Sequence, residues 1–400
     1  MKILFVTQNF YPELGSAANR MRVIFKLFNQ RNYDTHILTT QPTYPTKKLF
    51  DNKLYFNDEY INNLEQKKIT RLNIKNSKKN GSLFKRLFYF IEEFIRLRFY
   101  LTKQKYSYDL IYVTSPNIFM AWAILFFKKK NINYILEIRD LWPDSVNQIS
   151  GINIKFIMPL LQLLEKKMYN KADKIIINTL SFKNHINNKL KTDIPIFYLP
   201  NGIQKKEISN IKKHDTFTAI YTGNIGHAQD VKKLIEISFL LNDYDIPLVA
   251  IVYGAKASEF RDAVKSLKNV IFKSPMPREE CLKEISKAHI SLSILKPTDV
   301  FLNVLPGKIV DAISMGTIPV TNLGGYTENI IIDNNLGIAN ENATSSFLIT
   351  KIIELKYNLK IQKLMQFNTI KYRNEHFIWE NNMENLEKFI KAGDSCGRNL

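Results

Sequence analysis

Cysteine is nearly absent from this chain. Two occur in 400 residues, Cys281 and Cys396, far apart and without partners at metal-ligand spacing. That excludes a disulfide framework and predicts a reducing, cytoplasmic setting. Histidine is scarce too: the six, at 36, 185, 214, 227, 289 and 376, form no HxxxH or comparable pair, so no metal is expected. The GxSxG nucleophile elbow, the GKS/T phosphate loop and the GxGxxG dinucleotide fingerprint are all missing. Long apolar runs are lacking as well. The longest, Ile118 to Phe127, falls well below the roughly 20 residues a spanning helix needs. The opening MKILFVTQNF turns polar too soon for a signal peptide. Together these absences predict a soluble or peripheral protein.

Acidic residues are outnumbered, 37 Asp and Glu against 57 Lys and Arg, for a formal net charge of +20. Such a balance favours nucleic acid, anionic lipid or phosphorylated small molecules. Lys, Asn and Ile recur throughout the chain, however, so charge alone marks no patch.

Core material is plentiful, with 45% hydrophobic and 12% aromatic residues, and the length suits two domains. Lys2 to Thr7 reads as a buried strand, Gln8 to Ser16 as a loop, and Ala17 to Gln30 as a helix. Strand, Gly-bearing loop, helix opens a doubly wound α/β domain. The rhythm continues through strands at Thr35 to Thr40, Asp109 to Thr114, Asn133 to Ile138 and Lys174 to Asn178, with Pro42 to Asn63 irregular and Lys155 to Lys171 helical. Pro195 to Ile203, with two prolines and an Asn-Gly turn, reads as the domain boundary. Beyond it strands return at Phe217, Pro247, Asn269 and His289, predicting a second parallel sheet. Leu83 to Lys103 carries Phe84, Leu87, Phe88, Ile91, Phe94 and Ile95 on one stripe, with Lys85, Arg86, Arg96 and Arg98 outnumbering Glu92 and Glu93. That stripe suits either a core or a membrane surface.

Three stretches carry the chemistry. Phe301 to Gly325 reads as loop, short helix, turn and strand, with Pro306-Gly307 ending the loop and Lys308 in the helix's first turn. A helix N-terminus offers unpaired N–H groups and positive potential to a diphosphate, and Lys308 adds a full charge. Asp311, one turn on, is placed to accept hydrogen bonds from sugar hydroxyls. EIRDLWPDS, Glu137 to Ser145, lies past a strand's carboxyl end, where open α/β sheets hold ligands; Arg139, Asp140, Trp142 and Asp144 stand there. Gly223 and Gly226 in YTGNIGHAQD, and Gly254 in VYGAK, follow strands where a phosphate or nucleoside approaches closely.

In order, YPELGSAANR, RDLWPDS, LPNGI, YTGNIGHAQD and LPGKIVDAISMGTIPV resemble the retaining glycosyltransferases of family 4, most closely the branch that builds bacterial capsule and O-antigen. The resemblance runs through HFIWENNMENLEKF and implies a GT-B fold: an acceptor domain at 1–198, a sugar-nucleotide domain at 199–372, facing each other across a cleft, and a C-terminal segment at 373–400 whose helix crosses back. It further implies a nucleotide-sugar donor, expected to be UDP-linked, and no metal or other cofactor. The basic, aromatic helix at 83–103 adds the expectation of a lipid-linked saccharide acceptor, with the protein in the cytoplasm or peripherally on the inner membrane face. The family's paired glutamates fall on Asn303 and Asp311, so one carboxylate is lost and the other shortened. Its Arg and Lys after the second domain's first strand fall on Asn224 and Gln229, which shifts phosphate charge towards Lys308, aided by Arg139. Gly15 lets the first loop approach the donor phosphates. Asp140 is placed on the acceptor side as a base or orienting group, beside Arg139 and Trp142.

Three other readings compete. A sugar-nucleotide epimerase on this fold needs acid and base groups on both sides of the sugar, and carboxylates near these motifs are sparse. A nucleic-acid binder needs clustered cations with interleaved aromatics, whereas here the cations are spread. A degenerate scaffold follows from loss of both glutamates.

Overall fold

The computed structural model describes every residue except 45, 77–82, 104–106, 116, 146–156, 210 and 393–400, and for 83–86 the backbone alone. Cys396, the start of the helix expected from Lys155, and the side chains of Phe84, Lys85 and Arg86 therefore lie outside the described residues.

The chain forms two compact units. One holds Met1–Asn147, Ile152–Pro200 and the chain from Met383 on, and the other holds Asn201–Asn382. The first is built on a parallel seven-stranded sheet ordered β3-β2-β1-β4-β5-β6-β7. Its strands are β1 Lys2–Val6, β2 Asp34–Thr40, β3 Ile69–Leu72, β4 Leu110–Thr114, β5 Asn133–Ile138, β6 Lys174–Ile177 and β7 Ile196–Tyr198. The second carries β10-β9-β8-β11-β12-β13, from β8 Ala219–Asn224, β9 Leu248–Tyr253, β10 Val270–Lys273, β11 Ile290–Ser293, β12 Ile318–Thr321 and β13 Ile338–Ala339. In both sheets the order reverses once, between β1 and β4 and between β8 and β11. Ligands of such sheets bind at the strands' carboxyl ends beside that reversal.

Helices cover both faces of each sheet, so the central strands read as unbroken apolar runs. Along β8 and β9, Ala219, Tyr221, Leu248 and Ala250 pack with Leu234, Ile237 and Leu241 of helix Val231–Asp243. The alternate residues Ile220, Val249 and Ile251 pack with Leu282 and Ile285 of helix Arg278–Lys287. Asp230 caps helix Val231–Asp243 by accepting the Lys233 amide at 3.1 Å, the stop-start signal its sequence carries. Ser181, by contrast, precedes helix Phe182–Asn187 without a side-chain cap bond.

The last helix, Trp379–Lys391, begins in the second unit and from Met383 belongs to the first. There Phe389 stacks on Phe197 at 5.0 Å, and Lys174 Nζ donates to the Phe389 carbonyl at 2.9 Å. Some elements were not legible beforehand. The 42–63 segment, expected to be irregular, holds the 3-10 turns Lys47–Asp51 and Lys53–Tyr55 and the short helix Glu59–Asn62. Edge strands β3, β7 and β13, of 4, 3 and 2 residues, carry too little periodicity to be read.

Candidate functional site

In the second unit, β8 ends on Gly223 and Asn224 at the sheet's reversal. Gly223 adopts φ 98°, and a Cβ there would sit 3.5 Å from Lys308 Cε, so the lysine lies against bare backbone. Lys308 projects from the first turn of helix Gly307–Ser314, which is anchored by fully buried Ile309 and Ile313. Pro306 is the N-cap and supplies no side-chain acceptor, so the Gly307 and Lys308 amides have no intrahelical partner. Lys308 Nζ sits 3.8 Å from the centroid of the Tyr221 ring, donates to the Tyr221 hydroxyl at 2.5 Å and reaches the Asn224 carbonyl at 3.3 Å. Among the described residues no carboxylate lies within ion-pair distance of it. Burial of the amine, with little opposing negative charge, pulls its pKa down to about 7.

The loop after β8 is shaped by two of the expected donor residues. Gln229 Oε1 accepts the Gly226 amide at 2.7 Å, which commits this side chain to holding the turn. Gly254, at φ 112°, closes on the same loop: a Cβ there would collide with the Asn224 side chain and stand 2.8 Å from the Ile225 carbonyl. Gly223, Asn224, Gln229, Gly254 and Lys308 thus form one group. Asn303 ends the 3-10 turn Asp299–Asn303, exposed. Asp311 has a partner that sequence reasoning missed. Arg278 grips its carboxylate with two bonds, at 2.8 and 3.2 Å, and also faces Glu207 at 3.4 Å. Despite the cost of burial, these two carboxylates push the guanidinium pKa up. Cys281 stands in the same cluster, its thiol pushed up to about 12 by burial and then by Asp311.

In the first unit, Gly15 is the N-cap of helix Ser16–Gln30 at φ 125°, with nothing within 4 Å of a Cβ built there, so backbone alone faces that space. Beyond β5 stand Arg139 and Asp140, both half-buried, with the Arg139 amide held by Ser115 Oγ at 2.9 Å. Burial pushes the Asp140 carboxyl up to about 6 against the pull of Arg139. Trp142 follows, packed edge-on to Trp122 at 5.9 Å. Beneath them lies a second pair that sequence reasoning did not single out, although both residues sit inside the quoted motifs. Arg20 Nε donates to Glu137 Oε1 at 2.7 Å, and Tyr112 donates to the same oxygen at 2.8 Å. Arg20 also donates to the carbonyls of Leu199 and Pro200, at 2.9 and 3.0 Å.

Residues 21–207 match the family described as Glycosyltransferase Family 4. Sucrose-phosphate synthase from Thermosynechococcus elongatus is similar in structure over 98% of each chain, with TM-score 0.69 at 12% identity. The chain has the GT-B fold. Two further GT-B structures resemble it over 98% of this chain and 100% of theirs. WaaG, a glycosyltransferase involved in lipopolysaccharide biosynthesis, gives TM-score 0.67 at 13% identity. Anabaena HepE, solved with UDP and glucose, gives 0.66 at 11%. No curated relative matches the sequence. At such identities the GT-B likeness speaks for architecture, and the chemistry has to be argued from this chain's own side chains.

Proposed function

We propose that this GT-B protein is a retaining glycosyltransferase that moves a sugar from a UDP-linked donor to a lipid-linked saccharide, in surface polysaccharide synthesis at the inner face of the cytoplasmic membrane. The observation that carries the reading is Lys308, an amine with no carboxylate partner among the described residues, at an uncapped helix start beside the bare backbone of Gly223. This combination suits an anion, and a diphosphate can use the amine and both amides at once. The nucleotide-sugar binds the second domain, with its diphosphate at Lys308 and the Gly307 and Lys308 amides. As the bond to the anomeric carbon breaks, negative charge grows on the diphosphate, and this cradle stabilises it without drawing on a metal. A diphosphate oxygen takes the proton of the acceptor hydroxyl, which attacks from the face the leaving group departs, so configuration is retained. Asp140, ionised, accepts a hydrogen bond from a neighbouring hydroxyl of the acceptor and so orients the attacking one.

The two pKa shifts give this proposal a pH signature. Asp140 must be ionised, above about 6, and Lys308 protonated, below about 7. The profile of kcat/KM is therefore expected to be a narrow bell with limbs near those values. Asp140→Asn should remove the acid limb and slow transfer on the order of 10²-fold through lost orientation. A profile flat from pH 5 to 9 would reject both roles.

The direct test is thermal shift against UDP-, GDP-, dTDP- and CMP-sugars and their nucleotides. Binding to the native state alone stabilises it by about 2.7 kcal/mol at a hundred times Kd. UDP compounds are expected to raise Tm, and absence of a shift with every nucleotide would overturn the reading in favour of a degenerate scaffold. Incubation with donor alone separates the epimerase: a transferase yields only slow hydrolysis, an epimerase a converted sugar-nucleotide.

A further inference from the structure

Helix Leu83–Lys103 has two apolar faces, and the fold uses one. Inward, Tyr89 and Leu97 are buried and Phe90 stacks on Phe119 at 5.3 Å. Outward, Leu87, Ile91, Ile95 and Phe99 recur every four residues at 44, 40, 59 and 59% exposure, with Phe88 beside them at 59%. At 3.6 residues per turn these five share an arc of roughly 120° along the helix. Lys103 continues the row, its Nζ 4.1 Å from the Phe99 ring centroid.

A second helix repeats the pattern. Helix Met158–Tyr169 also packs on helix Ile118–Leu125. It exposes Leu160 and Leu163, with Ile157 just before them. Exposed Lys166 and Lys167 follow Leu163 by one turn. The carboxylates on these helices are already engaged: Glu92 by Arg96 at 2.6 Å, buried Glu93 by the Asn117 amide, and buried Glu165 by Lys189 and His185. Exposed apolar rows of this kind mark an interface, and here each ends on lysine. A second copy would set lysine against lysine across a symmetric contact. Acyl chains with anionic headgroups complement both features, since lysine stems lie along apolar surface while their ammonium groups reach the phosphates. Among the described residues no helix is long and apolar enough to cross a membrane, so the contact is one of lying on the surface.

We propose that the outward face of helix Leu83–Lys103, together with Leu160 and Leu163 on the second helix that packs on Ile118–Leu125, seats the protein on an anionic bilayer. The inference rests on the transferase reading only for its purpose. Ring contacts run from Phe90 through Phe119 and Trp122 to Trp142, two residues beyond Asp140. The docking face and the acceptor side thus belong to one packed layer, and a sugar held on a membrane lipid is brought to the Asp140 loop.

Vesicle co-sedimentation of the full chain tests it. Wild type is expected to bind phosphatidylcholine vesicles containing phosphatidylglycerol, and pure phosphatidylcholine far less. Ile95→Ser with Phe99→Ser should weaken partition roughly tenfold or more, with Tm unchanged because both residues are exposed. Lys166→Glu with Lys167→Glu should weaken it separately, by removing the electrostatic part. Wild type left in the supernatant, or a serine variant that sediments like wild type, overturns the proposal. So does a wild-type dimer that the serine variant converts to monomer. UDP thermal shift on the same samples keeps the two readings apart. Lost vesicle binding with an intact nucleotide shift rejects the docking alone, and the reverse rejects the transferase alone.

Discussion

Lys308→Met is expected to slow sugar transfer by on the order of 10²–10³-fold, the loss typical when one preorganised donor to a developing anion is removed. Methionine keeps the unbranched stem that lies over Tyr221 and against Gly223, so the variant isolates the charge. The native amine is held by a ring face, a hydroxyl and a carbonyl, with no carboxylate to neutralise among the described residues. Its removal leaves no buried anion behind, so any fall in Tm should be small, limited to the lost donor at the Tyr221 hydroxyl and the Asn224 carbonyl. Nucleotide affinity offers a second readout. An amine with pKa near 7 must gain a proton when a diphosphate binds above that pH. UDP affinity should thus fall as pH rises from 7 to 9 in wild type and stay flat in Lys308→Met. Titration calorimetry in buffers of different ionisation enthalpy reports that proton uptake directly. Transfer within twofold of wild type would remove Lys308 from the mechanism.

Arg20→Ala should destabilise the first domain by about 3–5 kcal/mol, the cost of leaving a buried charge without its partner. Arg20 and Glu137 are 1% and 0% exposed at the side chain, and the Leu199 and Pro200 carbonyls lose their donor as well. For a unit of this size each kcal/mol moves Tm by about 2–4 °C, so a drop of roughly 6–20 °C is expected in a calorimetric scan. Arg20→Met combined with Glu137→Gln should recover part of it by removing both charges. Recovery stays incomplete because the two carbonyls remain unsatisfied. A Tm within 2 °C of wild type for Arg20→Ala would mean that water replaces the guanidinium.

The architecture was legible because it is encoded locally. Strand, loop and helix alternate on apolar runs and Gly or Pro breaks within a few residues of one another. Pro306-Gly307 ahead of an apolar helical spacing placed Lys308 in a first turn, and the helix Gly307–Ser314 has it there. The partners of these residues were not legible. Asp311 offers the same carboxylate in sequence whether it faces a sugar or a guanidinium, and Arg278, 33 residues away, follows an ordinary Pro-bounded loop. Gln229 likewise shows no sign that its oxygen holds the Gly226 amide rather than a ligand.

Two parallel-sheet domains, the glycines and helix start at a strand's end, and an apolar stripe on helix Leu83–Lys103 can all be read from the chain before it folds. Each depends on neighbours along the chain. Folding alone pairs Arg20 with Glu137 across 117 residues and desolvates Lys308 over Tyr221, 87 residues away. It also decides that part of the stripe faces solvent. Those outcomes follow from strand order and helix packing, which set which side chains share a low-dielectric space and which stay in water, and periodicity within one element carries no record of them.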